Sequence, residues 1–122
     1  MNWTHFDRPA SIFALAPQPD GACLAATEQG LWQFTSRAGE WRLAAPQLAQ
    51  VALTAVAACG STWLVGSNGD IAFSHDGGAN WQIANLPVKA RVLGLALSPD
   101  FQRDGIALAA TADDGVLRSA DH

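Results

Sequence analysis

The stretch SHDGGANWQIANLP, residues 74–87, carries the features that decide the fold. A pair of glycines lies between polar residues and a Trp, and the stretch closes on a Pro, which is the composition of a tight turn followed by a short strand. Trp81 has counterparts at Trp3 and Trp41, with intervals of 38 and then 40 residues along the chain. A period near 40 residues is typical of β-propellers and of helical arrays, so the other segments of each period have to decide between the two.

The same succession of short segments follows each Trp. The Trp-led segments read NWTHFDRP from residue 2, EWRLAAPQ from residue 40 and NWQIANLP from residue 80. The small apolar runs after them read SIFALAP from residue 11, ALTAVAA from residue 52 and VLGLALS from residue 92. A second apolar run and, after a Gly-marked turn, a third short run complete each period. The repeats therefore span approximately residues 1–40, 41–80 and 81–122.

The apolar runs are too short for helices. ACLAAT from residue 22 and IALAAT from residue 106 are six residues each, and Gly or Pro interrupts the chain around them. Helices in arrays usually need ten residues or more, whereas continuous apolar runs of this length are typical of strands covered on both faces. Four short strands per period is the pattern of a propeller blade. We therefore expect an all-β chain of three four-stranded β-propeller blades.

The middle repeat contains a recognisable motif. Ser74-His75-Asp76-Gly77-Gly78-Ala79-Asn80-Trp81 resembles the Asp-box, Ser-x-Asp-x-Gly-x-x-Trp, of the repeat superfamily that includes sialidases, sortilin-like receptors and photosystem assembly factors. The resemblance implies structural roles at the blade periphery, away from ligand sites. The residues to which it assigns such a role are Ser74, Asp76, Gly78, Trp81, Ser119, Asp121, Trp41 and Trp3.

The other two repeats depart from this pattern. Repeat one reads Ser-Arg-Ala-Gly-Glu-Trp over residues 36–41, which is shorter and has no Asp, so its turn has to be held in another way. Repeat three reads Ser119-Ala120-Asp121 and then His122, halfway through the motif. A further stretch, residues 98–105, resembles the connection between the first and second strands of a blade in bacterial proteins of the same repeat type.

The chain reads as if it were cut inside one hairpin. It begins with the last strand of a blade, at Asn2-Trp3, and ends before the corresponding strand, at Asp121-His122. Three blades are fewer than the usual four to eight. We expect two copies to join head to tail about a twofold axis as a six-bladed ring, the N-terminal strand of each completing the Leu117 blade of the other. The alternatives are a nine-bladed trimer, a longer open assembly and a fragment of a larger propeller protein.

Composition argues against several classes of partner. The net charge is −4 and Lys89 is the only Lys, so we expect no basic surface for nucleic acid. The longest apolar stretch, residues 51–59, is far shorter than a membrane helix. No charged leader precedes an apolar run, which favours a cytoplasmic location. Cys23 and Cys59 fall at different points of their repeats without CxxC spacing, so we expect free thiols and no metal or cofactor.

No arrangement of residues indicates catalysis. The chain has no Tyr, which excludes the Tyr nucleophile that the resemblance to sialidases would imply. His5, His75 and His122 lie in no nucleophile motif. Asp113 and Asp114 are adjacent acids in a turn, where solvent exposure is the ordinary explanation and a calcium site is the alternative. We expect a protein that is not an enzyme; an enzyme acting on sugars, or a propeller-type lyase, is the alternative.

The function that we predict is therefore that of an assembly or binding module with a protein or glycan ligand. Propellers usually present ligands at loops on the two faces of the ring, here including residues 18–21 and 100–105. The candidate ligand-binding residues are Trp63, Asp100 and Arg103. A small-propeller lectin, with Trp63 stacking on a sugar ring, is the second hypothesis. This Trp does not recur in the other repeats, and burial in the core is the alternative role that we weigh for it.

Overall fold

The computed structural model describes residues 1–7, 11–35, 37 and 39–121, and over these residues the chain is a β-propeller structure of three antiparallel sheets. Sheet 1 contains β1 (Ile12–Pro17), β2 (Ala22–Thr27), β3 (Gly30–Thr35) and β4 (Glu40–Leu43). Sheet 2 contains β5 (Ala55–Cys59), β6 (Thr62–Gly66), β7 (Ile71–Ser74) and β8 (Gln82–Ile83). Sheet 3 contains β9 (Val92–Leu97), β10 (Ala107–Thr111) and β11 (Val116–Ser119). The prediction of an all-β fold of blades is confirmed.

Sheets 1 and 2 have the four strands expected of a blade, paired in chain order, whereas sheet 3 has three strands in the part of the chain that the structure describes. The remaining elements are two 3-10 turns, at Pro19–Gly21 and Pro46–Leu48, and a single-turn helix α1 (Phe101–Asp104). The sequence predicted only a loop around α1, because four residues are too few for a helical period to show. No helix in the described residues has the length and apolar composition to cross a membrane.

Residues 1–7 form no strand within the single chain. Trp3 is 85% exposed, while the Phe6 ring lies 4.9 Å from the Phe34 ring and Trp41 Nε1 donates a hydrogen bond to the Asp7 carbonyl at 2.7 Å. A strand needs a sheet edge that pairs with its backbone, and the sheet beside this segment already has its four strands. The strand expected at Asn2-Trp3 is therefore absent here, and its exchange into another copy stays a prediction.

The core lies between the sheets, and each sheet has two faces that pack differently. We call the face that packs on the next sheet along the chain the forward face, and the opposite one the rear face. Leu24 and Leu31 on the forward face of sheet 1 share a buried cluster with Val56 and Val65 on the rear face of sheet 2. A second cluster joins the forward face of sheet 2 to the rear face of sheet 3. The sheets thus stack face to face in chain order, as blades do.

The hydrogen bonds of the sheets correct one alignment made from sequence. The Leu31 and Ile71 carbonyls each accept a hydrogen bond at the beginning of the third strand, from the Ala44 and Ala84 N–H groups, so these two positions correspond. Counting two residues after the Gly of each turn in the sequence aligns Trp32 with Ile71 and Leu117, whereas in the structure Trp32 corresponds to Ala72 and Leu117. The alignment was wrong for sheet 2 because its Gly69 turn places the third strand one residue later than the Gly30 turn does.

Candidate functional site

The turn between β7 and β8, residues 74–81, is held by three polar side chains, those of Ser74, Asp76 and Asn80. The Ser74 hydroxyl donates a hydrogen bond to Asp76 Oδ1 at 2.7 Å and accepts one from the Gly78 N–H at 2.9 Å. Asn80 donates two bonds to Asp76, from its backbone N–H at 2.9 Å and from Nδ2 at 2.7 Å. These side chains bond to groups of their own turn, so their role here is to fix the backbone. We call residues 74–81 the sheet-2 turn.

The same hydrogen bonds set the charge of Asp76. The backbone N–H of Asn80, its side-chain amide and the Ser74 hydroxyl together lower the pKa of Asp76 to about 2. Each donor stabilises the ionised form, which accepts hydrogen bonds on both oxygens. Asp76 is therefore a carboxylate at neutral pH and has no proton to give to a substrate.

Trp63 lies beneath the sheet-2 turn. It is 7% exposed, and a Cβ on Gly78 would lie 2.5 Å from Trp63 Cζ3, so the glycine allows the turn to rest on the indole. Trp81 packs against the same cluster, and its Nε1 donates to the Gly78 carbonyl at 3.0 Å. The ring is therefore covered in the single chain, and a ligand-stacking role for Trp63 stays a prediction. The lectin hypothesis stays a prediction with it.

Sheet 1 fixes the equivalent turn with aromatic rings. Phe34 occupies the position of Ser74, and its ring lies 4.7 Å from that of Trp41, its partner on β4. The Gly39 N–H donates to the Thr35 carbonyl at 2.8 Å. This turn has no carboxylate, as expected from its sequence; Ser36 and Ala38, also part of it, lie outside the described residues.

Sheet 3 repeats the first half of the sheet-2 turn. The Ser119 hydroxyl donates to Asp121 Oδ1 at 2.8 Å, which matches the bond from Ser74 to Asp76. The surroundings differ, because Ser74 is 1% exposed whereas Ser119 and Asp121 lie on the surface. In the part of the chain that the structure describes, sheet 3 thus holds a formed hydroxyl–carboxylate pair without the fourth strand and Trp that accompany its counterpart in sheet 2.

A groove of about 680 Å³ lies between sheets 2 and 3. Its walls are the forward face of sheet 2, with Phe73 and His75, and the rear face of sheet 3, with Leu117 and Ser119; Phe101 of α1 also lines it. His75 lies 5.4 Å from the Phe73 ring, and its Nδ1 is 3.1 Å from the Thr62 hydroxyl. The lining combines apolar side chains with a smaller number of polar ones, a mixture that suits a side chain or peptide.

The two charged candidates, Asp100 and Arg103, form an exposed ion pair on α1. Arg103 Nη2 lies 2.5 Å from Asp100 Oδ2, with the side chains 83% and 56% exposed. Asp104 fixes the end of the helix, accepting from the Ser98 hydroxyl at 2.6 Å and from the Ile106 N–H at 2.9 Å. Neither charged candidate lines the groove, so the structure does not bring the three predicted ligand residues together.

The sequence interpretation missed Asn80 and Phe101. Asn80 donates two hydrogen bonds to Asp76, one from its backbone N–H and one from its side-chain amide. The sequence does carry a signal for this role, because an Asn also precedes Trp3. Phe101 is 3% exposed and gives the groove its end wall. A single Phe in an expected loop offers no sequence signal of burial.

Cys23 and Cys59 are free thiols in the single chain. Burial raises the pKa of the Cys23 thiol, which keeps it protonated and unreactive at neutral pH. Over the described ranges no three His, Cys, Asp or Glu side chains come together as metal ligands.

Comparison with known proteins identifies the fold. No protein-family model and no curated protein matches the sequence. A structure of YCF48 bound to D1 peptide has a TM-score of 0.72 at 14% identity over 97% of this chain and 40% of the other. A crystal structure of an ancestral GH74 enzyme has a TM-score of 0.66 at 16% identity over 90% of this chain and 17% of the other. This chain therefore spans less than half the length of either protein.

A third similar structure, that of the computationally designed Ika4 protein, is of comparable length. Its TM-score is 0.60 at 14% identity, and the match covers 98% of this chain and 99% of the other. YCF48 and the GH74 enzyme are β-propeller proteins, and at these identities the likeness shows the fold alone.

Proposed function

We propose that this chain is a non-catalytic propeller module whose function is assembly, two copies closing head to tail into a six-bladed ring that presents binding surfaces. The observation that supports it most directly is a correspondence between exposed and buried positions. Apolar residues on the outward faces of sheets 1 and 3 stand at strand positions whose equivalents in the other sheets are buried between two sheets of the same chain.

The forward face of sheet 3 is exposed and apolar. Leu108 and Val116 are 41% and 68% exposed. By strand register they correspond to Leu24 and Leu31 of sheet 1, both 0% exposed, which pack on sheet 2. Apolar side chains in that position contribute to stability only when another sheet covers them.

The rear face of sheet 1 is exposed in the same way. Leu15 is 59% exposed, whereas Val56, which corresponds to it in sheet 2, is 5% exposed beneath sheet 1. A rear face is the surface on which a forward face packs. One chain therefore exposes one forward face and one rear face. These are the two kinds of face that pack on each other between sheets 1 and 2 and between sheets 2 and 3.

In a dimer each chain covers both outward faces of the other. Packing the forward face of sheet 3 in one copy on the rear face of sheet 1 in the other, twice about a twofold axis, gives six blades and leaves no outward sheet face. We include the absence of catalysis in the proposal because the polar side chains of the sheet-2 turn are engaged in holding that turn.

Molar mass in solution tests the proposal. We expect light scattering of the full chain to give twice 12.8 kDa. Val116→Asp and Leu15→Asp each place a charge at the interface and should give folded monomers. The matched control is Val51→Asp, because Val51 is also an exposed apolar residue, at 37%, but lies in the connection between sheets 1 and 2 and does not line the groove between sheets 2 and 3.

A folded wild-type monomer at 0.1 mM, a concentration on the order of that used for weak dimers, would overturn self-association and leave these faces to blades outside this sequence. A mass of three chains would replace the six-bladed ring with a nine-bladed one. An equal loss of dimer in all three variants would show that the outward faces have no special role.

A further inference from the structure

We infer that Asn2 and Trp3 of one copy complete the turn that Ser119 and Asp121 begin in the other, the Asp121 carboxylate accepting hydrogen bonds from Asn2 while the Trp3 indole fills the groove between sheets 2 and 3. The inference rests on the proposed assembly and deepens it. It names the occupant of the groove as a short peptide segment with an aromatic side chain, and it assigns Asp121 as the residue that recognises that segment.

The first support is the hydrogen bonding of the sheet-2 turn. In that turn the carboxylate of Asp76, two residues after Ser74, accepts hydrogen bonds from the backbone N–H and the side-chain amide of Asn80. Asn80 is the residue directly before Trp81. Asp121 stands two residues after Ser119 with its carboxylate exposed. Asn2 stands directly before Trp3 and carries the same two donors as Asn80.

The second support is the position of the groove. Trp81 lies at the rear face of sheet 2 in the cluster that also contains the forward face of sheet 1. The equivalent place at the next interface, between the forward face of sheet 2 and the rear face of sheet 3, is the groove of about 680 Å³. It is lined by Ser119, the counterpart of the Ser74 that Trp81 covers, and by Leu117. Trp3 is 85% exposed in the single chain and so has an indole to bury.

The third support is the course of the N-terminal segment. After the fourth strand of sheet 1 the chain passes the sheet-2 turn, where Gln47 Nε2 donates to the Ala79 carbonyl at 3.0 Å. Residues 6 and 7 pass the corresponding turn of sheet 1 in the same manner, through the contacts with Phe34 and Trp41. Residues 6 and 7 thus lie on sheet 1 in the way that the chain following the fourth strand of sheet 1 lies on sheet 2. The fourth strand that would precede residues 6 and 7 has its place beside β11 in the neighbouring copy.

The register follows from sheet 2. Phe73 pairs with Gln82, so the next pair along the strands sets Ser74 opposite Trp81. Applied to sheet 3, this places Trp3 opposite Ser119, with Thr4 opposite Arg118. Backbone pairing at this edge would satisfy the outer N–H and C=O groups of β11, and the indole would exclude water from the groove.

A disulfide trap tests the register between copies. In a background of Cys23→Ala and Cys59→Ala, a chain with Asn2→Cys is mixed with a chain with Asp121→Cys, and the pair is oxidised. We expect a cross-linked species of twice the chain mass. The matched control pairs Asn2→Cys with Asp113→Cys, an exposed Asp in the turn before β11, and should give only background cross-linking.

One chain that carries both Asn2→Cys and Asp121→Cys separates exchange between copies from closure within a chain. We expect a covalent dimer; a cyclised monomer would overturn the inference. In a sample whose mass is that of a dimer, cross-linking no greater than with Asp113→Cys would also overturn it while leaving the proposed ring intact. A monomeric sample would instead contradict the proposed function itself.

Substitutions of the segment test its contribution to affinity. We expect Trp3→Ala to raise the dimer dissociation constant about 100-fold, since it empties two equivalent grooves, and Asn2→Ala to raise it about tenfold. His5→Ala is the control, because His5 corresponds to Ile83, which stays 63% exposed in sheet 2. Equal effects of Trp3→Ala and His5→Ala would overturn the role of the indole.

Discussion

Ser74 and Ser119 make the same hydrogen bond in two different surroundings. Each hydroxyl donates to the carboxylate two residues later, at 2.7 and 2.8 Å. Ser74 is buried under a fourth strand and Trp81, while Ser119 is exposed. The hydrogen bond is therefore a local property of the Ser-x-Asp sequence and does not depend on the cover.

Asp76 gives the protein an acid-sensitive contribution to stability. Its pKa in the fold, about 2, lies below the ordinary value of 3.8, so folding favours the ionised form. The stability from this preference is complete above pH ~4 and is lost as the pH falls through the folded pKa. We expect Asp76→Asn to lower the free energy of unfolding at pH 7, and the gap from wild type to close between pH ~4 and ~2, as measured by urea unfolding.

The control for this experiment is Asp113→Asn, which removes one negative charge from an exposed turn without a role in the sheet-2 turn. A gap for Asp76→Asn that stays constant down to pH ~2 would contradict the assignment, as would the same closing gap in the control.

At the scale of the element, the sheet-2 turn depends on two glycines for different reasons. Both have positive φ, 69° at Gly77 and 90° at Gly78. A Cβ at Gly77 would meet nothing within 4 Å, whereas one at Gly78 would lie 2.5 Å from the buried indole of Trp63. Gly77 is needed only because the backbone has positive φ there. Gly78 is needed for the same reason and because a side chain would collide with the Trp63 indole on which the turn packs.

These two positions form a matched pair of substitutions. We expect Gly77→Ala to destabilise the fold by about 1 kcal/mol through backbone conformation, and Gly78→Ala by about 3 kcal/mol because the indole must also move. Chemical denaturation of both variants measures the difference. Equal losses would show that Trp63 yields easily to a methyl group. That result would contradict the packing described for the turn.

The elements also show what the sequence predicts well and what it does not. Gly residues at turns and Trp residues that recur once per repeat are local features, so the spacing of the Trp residues predicted the three sheets correctly. The register of β7 depends on one residue of turn length at Gly69, which the spacing does not reveal. The burial of Trp63 depends on a turn folding over it and on a neighbouring sheet, which no pattern within its own strand indicates.

At the scale of the whole molecule, assembly and folding should be linked. Apolar residues on two outward faces are covered only in the proposed ring, so the folded state gains stability from mass action. We expect the Tm of the wild type to rise by about 2–4 °C for each tenfold increase in protein concentration. Calorimetry over two decades of concentration measures this, with Val116→Asp as a control whose Tm should not depend on concentration. A constant wild-type Tm would argue against a linked dimer.

The whole molecule was also the scale at which the sequence revealed least about the site. Repeats predicted how many sheets would form, but the groove arises where sheets 2 and 3 stand apart beside α1, and Phe101 at its end came from a stretch expected to be a loop. A site between repeats depends on how they are spaced, whereas the periodic pattern describes each repeat by itself.

The bond from Ser119 to Asp121 has a kinetic consequence. Because the pair already has the geometry of its covered counterpart, a segment that arrives there needs no rearrangement of the receiving backbone. The entropy lost on capture then falls almost wholly on the incoming residues. Stiffening those few residues in an extended shape, for instance by proline at a position without a pairing N–H, should therefore accelerate capture more than any change in sheet 3 itself.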